Sequence, residues 1–244
     1  MPTPDPVTED VLRSGLIVRF EGVWAGYEGP DVLQDVDFEV AAGEVAIVSG
    51  PTAAGKTTLL HTLRLALPPR AGSALVLGED IAQLTEARRA RLKRRVGYVA
   101  EEPVFAEDHD VAYNVALPLR LARRKAADYA HDVHELLEFV GLSESAGEIV
   151  KRLSFAERRR VAIARALASK PDLILVDEPA AGLGPEAAHR TFRLLAEMRR
   201  IGAAVVIATQ SEHLADGLEA THWRIAEGRV EQDGATYVGA EHYS

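Results

Sequence analysis

One segment, EVAIVSGPTAAGKTTLLHTL at residues 44–63, constrains the fold more than any other part of the chain. It begins as a buried-strand pattern at 44–49, continues through a loop of small residues at 50–55, and becomes helical from Lys56 onward. In this context GxxxxGK[ST] is a phosphate-binding loop, because loop amides and a helix N-terminus point hydrogen-bond donors at anionic oxygens. An ordinary tight strand-to-helix turn is the alternative interpretation.

The loop predicts roles for individual side chains. Lys56 adds positive charge to the terminal phosphates, and the hydroxyl of Thr57 can ligate Mg²⁺. We therefore expect the whole loop to bind nucleotide, through Gly50, Pro51, Thr52, Ala53, Ala54, Gly55, Lys56, Thr57 and Thr58.

A second motif, LILVDEP at 173–179, supplies two acids at the end of a buried strand. Asp177 is suited to holding Mg²⁺ through water, and Glu178 is placed to orient or deprotonate an attacking water, which makes it the predicted catalytic residue. Paired acids after aliphatic residues are otherwise common at a surface strand end. Here their distance from the loop and their order complete a phosphoryl-transfer site.

Composition narrows the class of protein. A chain of 244 residues with 47% hydrophobic residues can form one large α/β domain. It has no cysteine, so disulfides and thiolate metal sites are excluded, and its net charge of -9 argues against a nucleic-acid partner. The longest apolar runs are shorter than the roughly 18 to 20 residues of a membrane-spanning helix, so any membrane role is expected to go through a partner.

The pattern of elements predicts an α/β fold with a mostly parallel sheet. Strands are predicted at 16–21, 36–40, 44–49, 74–78, 96–100, 172–177, 204–209 and 222–226. Helices are predicted after Lys56 and at 88–95, 126–140, 154–169 and 185–200. We expect a flexible, acidic, proline-rich tail at 1–14 and a single domain at 15–244, with core segments at about 15–100 and 170–235 and an inserted helical subdomain at about 101–169.

Together with these two motifs, GYEGPDVLQDVDFEVAAGE and RLSFAERRRVAIARAL make the chain resemble ABC transporter ATP-binding subunits from Phe20 to about Glu231. The resemblance implies a P-loop NTPase (RecA-like) fold with an antiparallel β edge, and ATP and Mg²⁺ as cofactors. The segments DHDVAYNVALPLRLA and LSFAERRRVAIARALASKPDLILVDEP are most similar to the cell-division ATPase FtsE and the lipoprotein-release and MacB-type ATPases. In that group the signature often continues with Glu, as Glu157 does here.

The resemblance also implies site residues and partners. Tyr27 stands where an aromatic ring stacks on adenine, Glu101 where a glutamine ligates Mg²⁺, and Gln210 where a switch histidine meets the γ-phosphate. The signature residues, which act on ATP in the opposing subunit, are Ser154, Phe155, Ala156 and Glu157. The implied partners are an FtsX-like integral membrane permease subunit, gripped through the helical lobe, and a second ABC chain as homodimer or heterodimer. The implied location is the inner face of the cytoplasmic membrane.

Several positions of one catalytic cycle depart from the family pattern. Ala53 replaces the first internal glycine of the loop, which costs about 1 kcal/mol if that position needs a positive φ. The other departures are Glu101, Phe155, Ala156, Gly184 in place of an aspartate, and Gln210. Because Lys56, Thr57, Asp177 and Glu178 are retained, we predict retained binding and weakened turnover. The alternative is that each change is a tolerated substitution in an ordinary enzyme.

Two functions from different classes follow. The first is an ATPase, FtsE-like and slow, that closes its dimer on ATP to drive a membrane partner. The second is a nucleotide-gated structural subunit that does not hydrolyse ATP and is paired with a better-conserved ABC chain.

Three other groups of residues have simpler interpretations. The basic runs at 87–95 and 158–160 are expected on solvated helix faces. His131, His134 and Glu135 could share a helix face and bind metal, but a solvated face is the usual role of such a pair. Phe105, Tyr113 and Leu117 belong either to the core of the helical lobe or to a groove for a partner's short helix. We expect Leu117 in the core and consider Phe105 a groove residue.

Overall fold

Two sheets form the framework of the protein in the computed structural model, which describes residues 15–233. The predicted tail at 1–14 lies outside the described residues. The smaller sheet is antiparallel, in the order β2-β1-β4-β5. Its strands are β1 (Leu16–Ala25), β2 (Leu33–Ala41), β4 (Ala71–Val76) and β5 (Glu79–Asp80).

The larger sheet has six strands in the order β10-β9-β3-β8-β7-β6. All neighbours are parallel except β10, which pairs antiparallel with β9. The strands are β3 (Val45–Ser49), β6 (Val96–Val99), β7 (Leu173–Asp177), β8 (Ala204–Thr209), β9 (Thr221–Ala226) and β10 (Arg229–Gln232). The predicted α/β class, with a mostly parallel core and an antiparallel edge, is confirmed. The two strands that the sequence did not indicate, β5 and β10, are short.

Six α-helices connect and cover the sheets in the described residues. They are α1 (Lys56–Leu63), α2 (Glu86–Lys93), α3 (Val111–Leu121), α4 (Ala130–Phe139), α5 (Phe155–Leu167) and α6 (Pro185–Glu197). Helix α3 has no counterpart among the predicted helices, because Pro118 lies inside it and a proline usually argues against a helix interior. No helix in residues 15–233 is long and apolar enough to cross a membrane.

The central strands are buried on both faces, which explains their continuous apolar runs. On β3, Ile47 joins a cluster with the helices on one face, whereas Ala46 and Val48 join a second cluster beneath the antiparallel sheet. Strands β7 and β8 alternate in the same way. The strand ends therefore have little freedom to shift, and the loops that follow them start from fixed points.

The loop after β3 depends on close approach of backbone to backbone. A Cβ on Gly50 would lie 2.2 Å from the carbonyl oxygen of Ile225 in β9, so only glycine fits there. Gly55, with φ of 113°, makes the sharp turn into α1. These two glycines bring the loop back over the carboxyl ends of the parallel strands, where α/β sheets bind ligands.

Residues 100–172 form helices and contain no strand. Buried Asn114 of α3 ties this segment together, since it accepts from the amide of Ala106 at 2.8 Å and donates to its carbonyl at 3.1 Å. The expected places of two residues are exchanged. Phe105 is buried in the core, whereas Leu117 is only partly buried and lines a groove, because helical periodicity alone does not say which apolar face meets the core.

Candidate nucleotide site

The loop between β3 and α1 folds around the ammonium group of Lys56. Its Nζ donates to the carbonyl oxygens of Gly50 at 2.7 Å and Pro51 at 3.0 Å, and it lies 3.4 Å from Oε1 of Glu178. The side chain is almost fully buried. Burying an unpaired cation costs free energy, so the two carbonyl oxygens and the carboxylate are needed to stabilise the Lys56 ammonium inside the loop.

Glu178 occupies a tight turn directly after β7. Its φ of 41° is unusual for a residue with a side chain, and its amide donates to the carbonyl of Ala208 at 2.9 Å, which fixes the turn. The carboxylate oxygen Oε2 accepts from the backbone N–H of Gln210 at 3.0 Å. The second oxygen, Oε1, makes no hydrogen bond. Oε2 is thus anchored by the backbone, whereas Oε1 faces the ammonium of Lys56 at 3.4 Å.

Asp177, the last residue of β7, is buried below the loop. Burial raises the pKa of its carboxyl group, with the nearby acids Glu178 and Glu101 adding to the rise and a hydrogen bond with Thr57 opposing it. Its oxygen Oδ2 accepts from the hydroxyl of Tyr98 at 3.5 Å, and burial first, then Asp177, raises the pKa of Tyr98 to about 12.

The chemistry around Asp177 fits a magnesium ion. Its Oδ1 is buried and has no hydrogen-bond partner, which leaves an oxygen ligand unused beside the hydroxyl of Thr57. A bound Mg²⁺ would supply positive charge to phosphate oxygens and favour the ionised carboxylate. Thr57 and Asp177, with Glu101 at the cavity wall, are the residues that would hold it.

An open cavity of about 320 Å³ lies over these groups. It brings together residues from the loop and the start of α1, from the segment before β2, and from the segments that follow β6, β7 and β8. They are Val32, Thr52, Ala53, Gly55, Lys56, Thr57, Thr58, Glu101, Glu178 and Gln210. Gln210 is held across the cavity mouth, since its Oε1 accepts from Thr52 Oγ1 at 3.0 Å. Of the other predicted residues, Gly50, Pro51 and Ala54 shape the loop without lining the cavity. Tyr27 lies in the exposed loop between β1 and β2 and does not line it either.

The four signature residues lie elsewhere, at the start of α5, and none of them lines this cavity. Ser154 and Glu157 form a capping box, with Ser154 Oγ 2.6 Å from Glu157 Oε2. These hydrogen bonds from the Ser154 side chain and backbone lower the pKa of Glu157. Phe155 is 51% exposed, and a Cβ added to Gly182 would lie 2.9 Å from its ring. The aromatic ring therefore rests on the loop that follows Glu178.

Arg159 has a structural role beside the cavity that its sequence context did not indicate. It was expected on a solvated face with its neighbours, but it is 1% exposed. Its guanidinium donates to the carbonyls of Ala100 and Glu101, both at 2.8 Å, and burial lowers its pKa. It thus fixes the chain where Glu101 reaches the cavity. Its basic neighbours Arg158 and Arg160 are less buried, and Arg158 pairs with the exposed Glu107.

The histidine pair of α4 has no metal-binding geometry. His131 forms an exposed pair with Glu135, with Nε2 3.3 Å from Oε1. Within residues 15–233, no group of three or more histidines and acids is arranged to hold a metal ion. The solvated-face interpretation is the one that the structure favours.

Comparison with protein families gives a match to the model described as ABC transporter, over residues 33–181. Among curated proteins, the chain is 38% identical over 225 residues to the methionine import ATP-binding protein MetN of Caulobacter vibrioides, a match that covers 90% of this chain and 67% of that protein. It is 32% identical over 232 residues to MetN 2 of Rhodopseudomonas palustris, covering 93% and 61%. The chain therefore spans roughly three fifths to two thirds of the length of these relatives.

Solved structures agree with this match. The CbiO1 protein of Clostridium perfringens, part of an ABC transporter complex, superposes with a TM-score of 0.81 at 26% identity, covering 89% of this chain and 87% of that one. A dimeric ATP-binding cassette in a post-hydrolysis state, bound to ADP and phosphate, has a TM-score of 0.79 at 25% identity, covering 88% and 97%.

The backbone of Ala53 generates a stability prediction. Its φ of 62° is in the left-handed region, where a Cβ is unfavourable. We expect Ala53→Gly to raise the free energy of unfolding by about 1 kcal/mol, measured by urea denaturation. Ala54→Gly is the matched control, because Ala54 is buried and has no positive φ, and it should lower stability. Equal effects of the two changes would contradict a strained Ala53.

Proposed function

The chain belongs to the ABC transporter ATP-binding family, a family of ATPases, and from that premise we propose that it binds MgATP and drives a membrane partner by dimer closure, with slow hydrolysis. The observation that carries the proposal is the buried arrangement of Lys56 and Glu178 over Asp177 at the ends of parallel strands. A phosphate-binding loop alone would support binding. The partly free carboxylate beside it adds the means of hydrolysis.

Each of these residues has a defined task in the proposed cycle. The γ-phosphate replaces the loop carbonyls as the partner of Lys56, because an anion is the stronger acceptor for an ammonium. Glu178, anchored through Oε2, uses Oε1 to accept a proton from the attacking water. Gln210 can donate from its side-chain amide to the γ-phosphate but carries no positive charge to it.

The slow rate that we propose arises at the signature. In a head-to-tail dimer, Ser154 to Glu157 would face the opposing ATP, and the half-exposed ring of Phe155 would stand where backbone must come close to the γ-phosphate. The hydroxyl of Ser154 already donates a hydrogen bond to the carboxylate of Glu157. Hydrogen-bond donors stabilise the charge that develops on the γ-phosphate in the transition state only when they are within reach of it. Incomplete closure of the dimer therefore lowers the rate of turnover more than the affinity for ATP.

We assign the membrane partner's contact to the groove beside α3, a cavity of about 700 Å³. Its apolar wall includes Val104 at 84% exposure and Leu121 at 76%, which are unusual for a solvent-facing surface. The groove is lined by four basic side chains and one acidic side chain, Glu102, and this excess of positive charge favours a partner segment that carries acidic residues. The basic residues are Arg64, Lys93, Arg94 and Arg165. The groove also includes Ala100, the residue before Glu101, so an occupant could affect the nucleotide cavity directly.

The partner's type follows best from the relatives. The motif resemblance suggested an FtsX-like partner, but the relatives reported above are named for methionine import. We therefore propose a permease of solute-import type at the cytoplasmic face of the membrane, and methionine is the first solute to test. An FtsX-like partner is the alternative, and co-purification of the permease distinguishes the two.

The second candidate function is a nucleotide-gated structural subunit that does not hydrolyse ATP. The contact between Phe155 and Gly182 favours it, because it fills the space beside the signature with a side chain. Such a subunit would be paired with a better-conserved ABC chain. A homodimer would carry the altered signature at both sites, whereas a heterodimer would receive one intact signature from the better-conserved chain.

Replacing Lys56 tests nucleotide binding. We expect Lys56→Ala to reduce affinity for MgATP by about 100-fold or more, because it removes the buried cation that faces the phosphates. Equilibrium binding of labelled ATP measures this. Lys170→Ala is the control, since Lys170 is exposed and pairs with Asp132 at the surface. An affinity unchanged by Lys56→Ala would contradict the proposed site.

Charge placed in the groove tests the partner contact. We expect Leu121→Glu to reduce the membrane-bound fraction by roughly tenfold in cells that contain the permease, because it replaces an apolar contact with a carboxylate that repels an acidic partner segment. ATP affinity should stay unchanged. Phe139→Glu, an exposed apolar residue on α4 that does not line the groove, should have no effect. Wild-type protein that stays on membranes after deletion of the permease would count against the proposal.

Restoring the family residues tests the slow rate. We expect the triple variant Phe155→Gly, Ala156→Gly and Gln210→His to release phosphate at least about tenfold faster than wild type, since single oxyanion-type donors are worth about 10² to 10³ in other enzymes. Adding Glu178→Gln should abolish that gain and leave ATP bound, because an amide cannot accept the proton. A wild-type rate equal to that of the triple variant would contradict weakened turnover.

A further inference from the structure

The ring of Tyr27 is held by a side chain that belongs to the phosphate-binding helix. Its hydroxyl lies 2.6 Å from Nδ1 of His61 on α1. The two rings meet edge to face, with centroids 6.2 Å apart and planes at 84°. Tyr27 is 46% exposed, so one part of the ring is open to solvent while its hydroxyl is tethered.

The backbone around Tyr27 is fixed separately by Arg70. The guanidinium donates to the carbonyl oxygens of Tyr27 and of Gly29, the latter at 2.8 Å, and pairs with Asp31 at 3.0 Å. These bonds hold the loop without any contribution from His61. A change at His61 would therefore release the ring of Tyr27 without unfolding the loop that carries it.

His61 is itself confined between the rings of Tyr27 and Tyr98. Its other side meets the ring of Tyr98, with centroids 6.1 Å apart. Arg64, the residue that follows α1, stacks over Tyr98 at 4.3 Å. Burial first, and then the positive charge of Arg64, lower the pKa of His61. A neutral imidazole has one acceptor nitrogen, and with its proton on Nε2 that acceptor is Nδ1.

We propose that His61 is a positioning residue for the nucleobase: its Nδ1 accepts a hydrogen bond from the Tyr27 hydroxyl and orients the ring on which the base stacks. The inference rests on the proposed function, because it needs a nucleoside triphosphate with its phosphates at Lys56. His61 follows Lys56 by five residues, about 7.5 Å along the helix axis. A single rigid helix then fixes both the phosphates and, through Tyr27, the base.

The experiment compares two ligands that differ in the base. Affinities for MgATP and for magnesium inorganic triphosphate are measured by calorimetry for wild type, His61→Leu, His61→Asn and Tyr27→Phe. We expect His61→Leu and Tyr27→Phe each to weaken ATP binding by about threefold to tenfold, the effect of one lost neutral hydrogen bond, and to leave triphosphate binding unchanged. The double variant should be no weaker than either single one, because both changes remove the same bond.

The asparagine variant separates positioning from packing. Its Oδ1 can accept near the place of Nδ1, so His61→Asn should keep most of the ATP affinity. Unchanged ATP affinity in His61→Leu overturns the inference, and so does an equal loss of ATP and triphosphate binding, which would mean damage to the phosphate loop. Wild-type protein that binds neither ligand would overturn the proposed function, and this inference with it.

Discussion

The structure of the site depends on one buried positive charge. The ammonium of Lys56 is buried away from solvent, so the loop turns its own carbonyls of Gly50 and Pro51 inward, and Glu178 supplies the opposite charge. This arrangement requires the glycine at Gly50, where any side chain would strike β9. The apolar clusters on the two faces of the larger sheet then matter for function, because they fix the ends of the strands from which the segments with Lys56 and Glu178 continue.

The sequence predicted most of the site and much of the fold for identifiable physical reasons. Continuous apolar runs marked β3, β7 and β8 because these strands are buried on both faces. Lys56, Asp177 and Glu178 were predictable because each belongs to a short motif, one that follows a buried strand through a glycine loop and one that ends a buried strand. Arg159 was not, because its two acceptors are backbone carbonyls almost 60 residues away and a run of three arginines resembles a solvated face. His61 was missed in the same way, since its partner Tyr27 is distant in sequence.

The departures from the family pattern fall into two groups, those that line the nucleotide cavity and those at the signature. Ala53, Glu101 and Gln210 line the same cavity as the retained residues Lys56, Thr57 and Glu178. The changes at Phe155 and Ala156 lie on another surface, where a second subunit would have to approach. We therefore propose that ATP binding within one chain is preserved and that the aromatic ring of Phe155 opposes closure between chains.

The most direct test of this account is the identity of the nucleotide that the wild-type protein holds. The protein is mixed with Mg²⁺ and a limiting amount of ATP labelled in both the base and the γ-phosphate, and bound nucleotide is recovered over several minutes. The account predicts that most of the recovered nucleotide is intact ATP. Recovery of ADP with the γ-label already released within seconds would contradict it, since that result requires efficient hydrolysis without any restored signature.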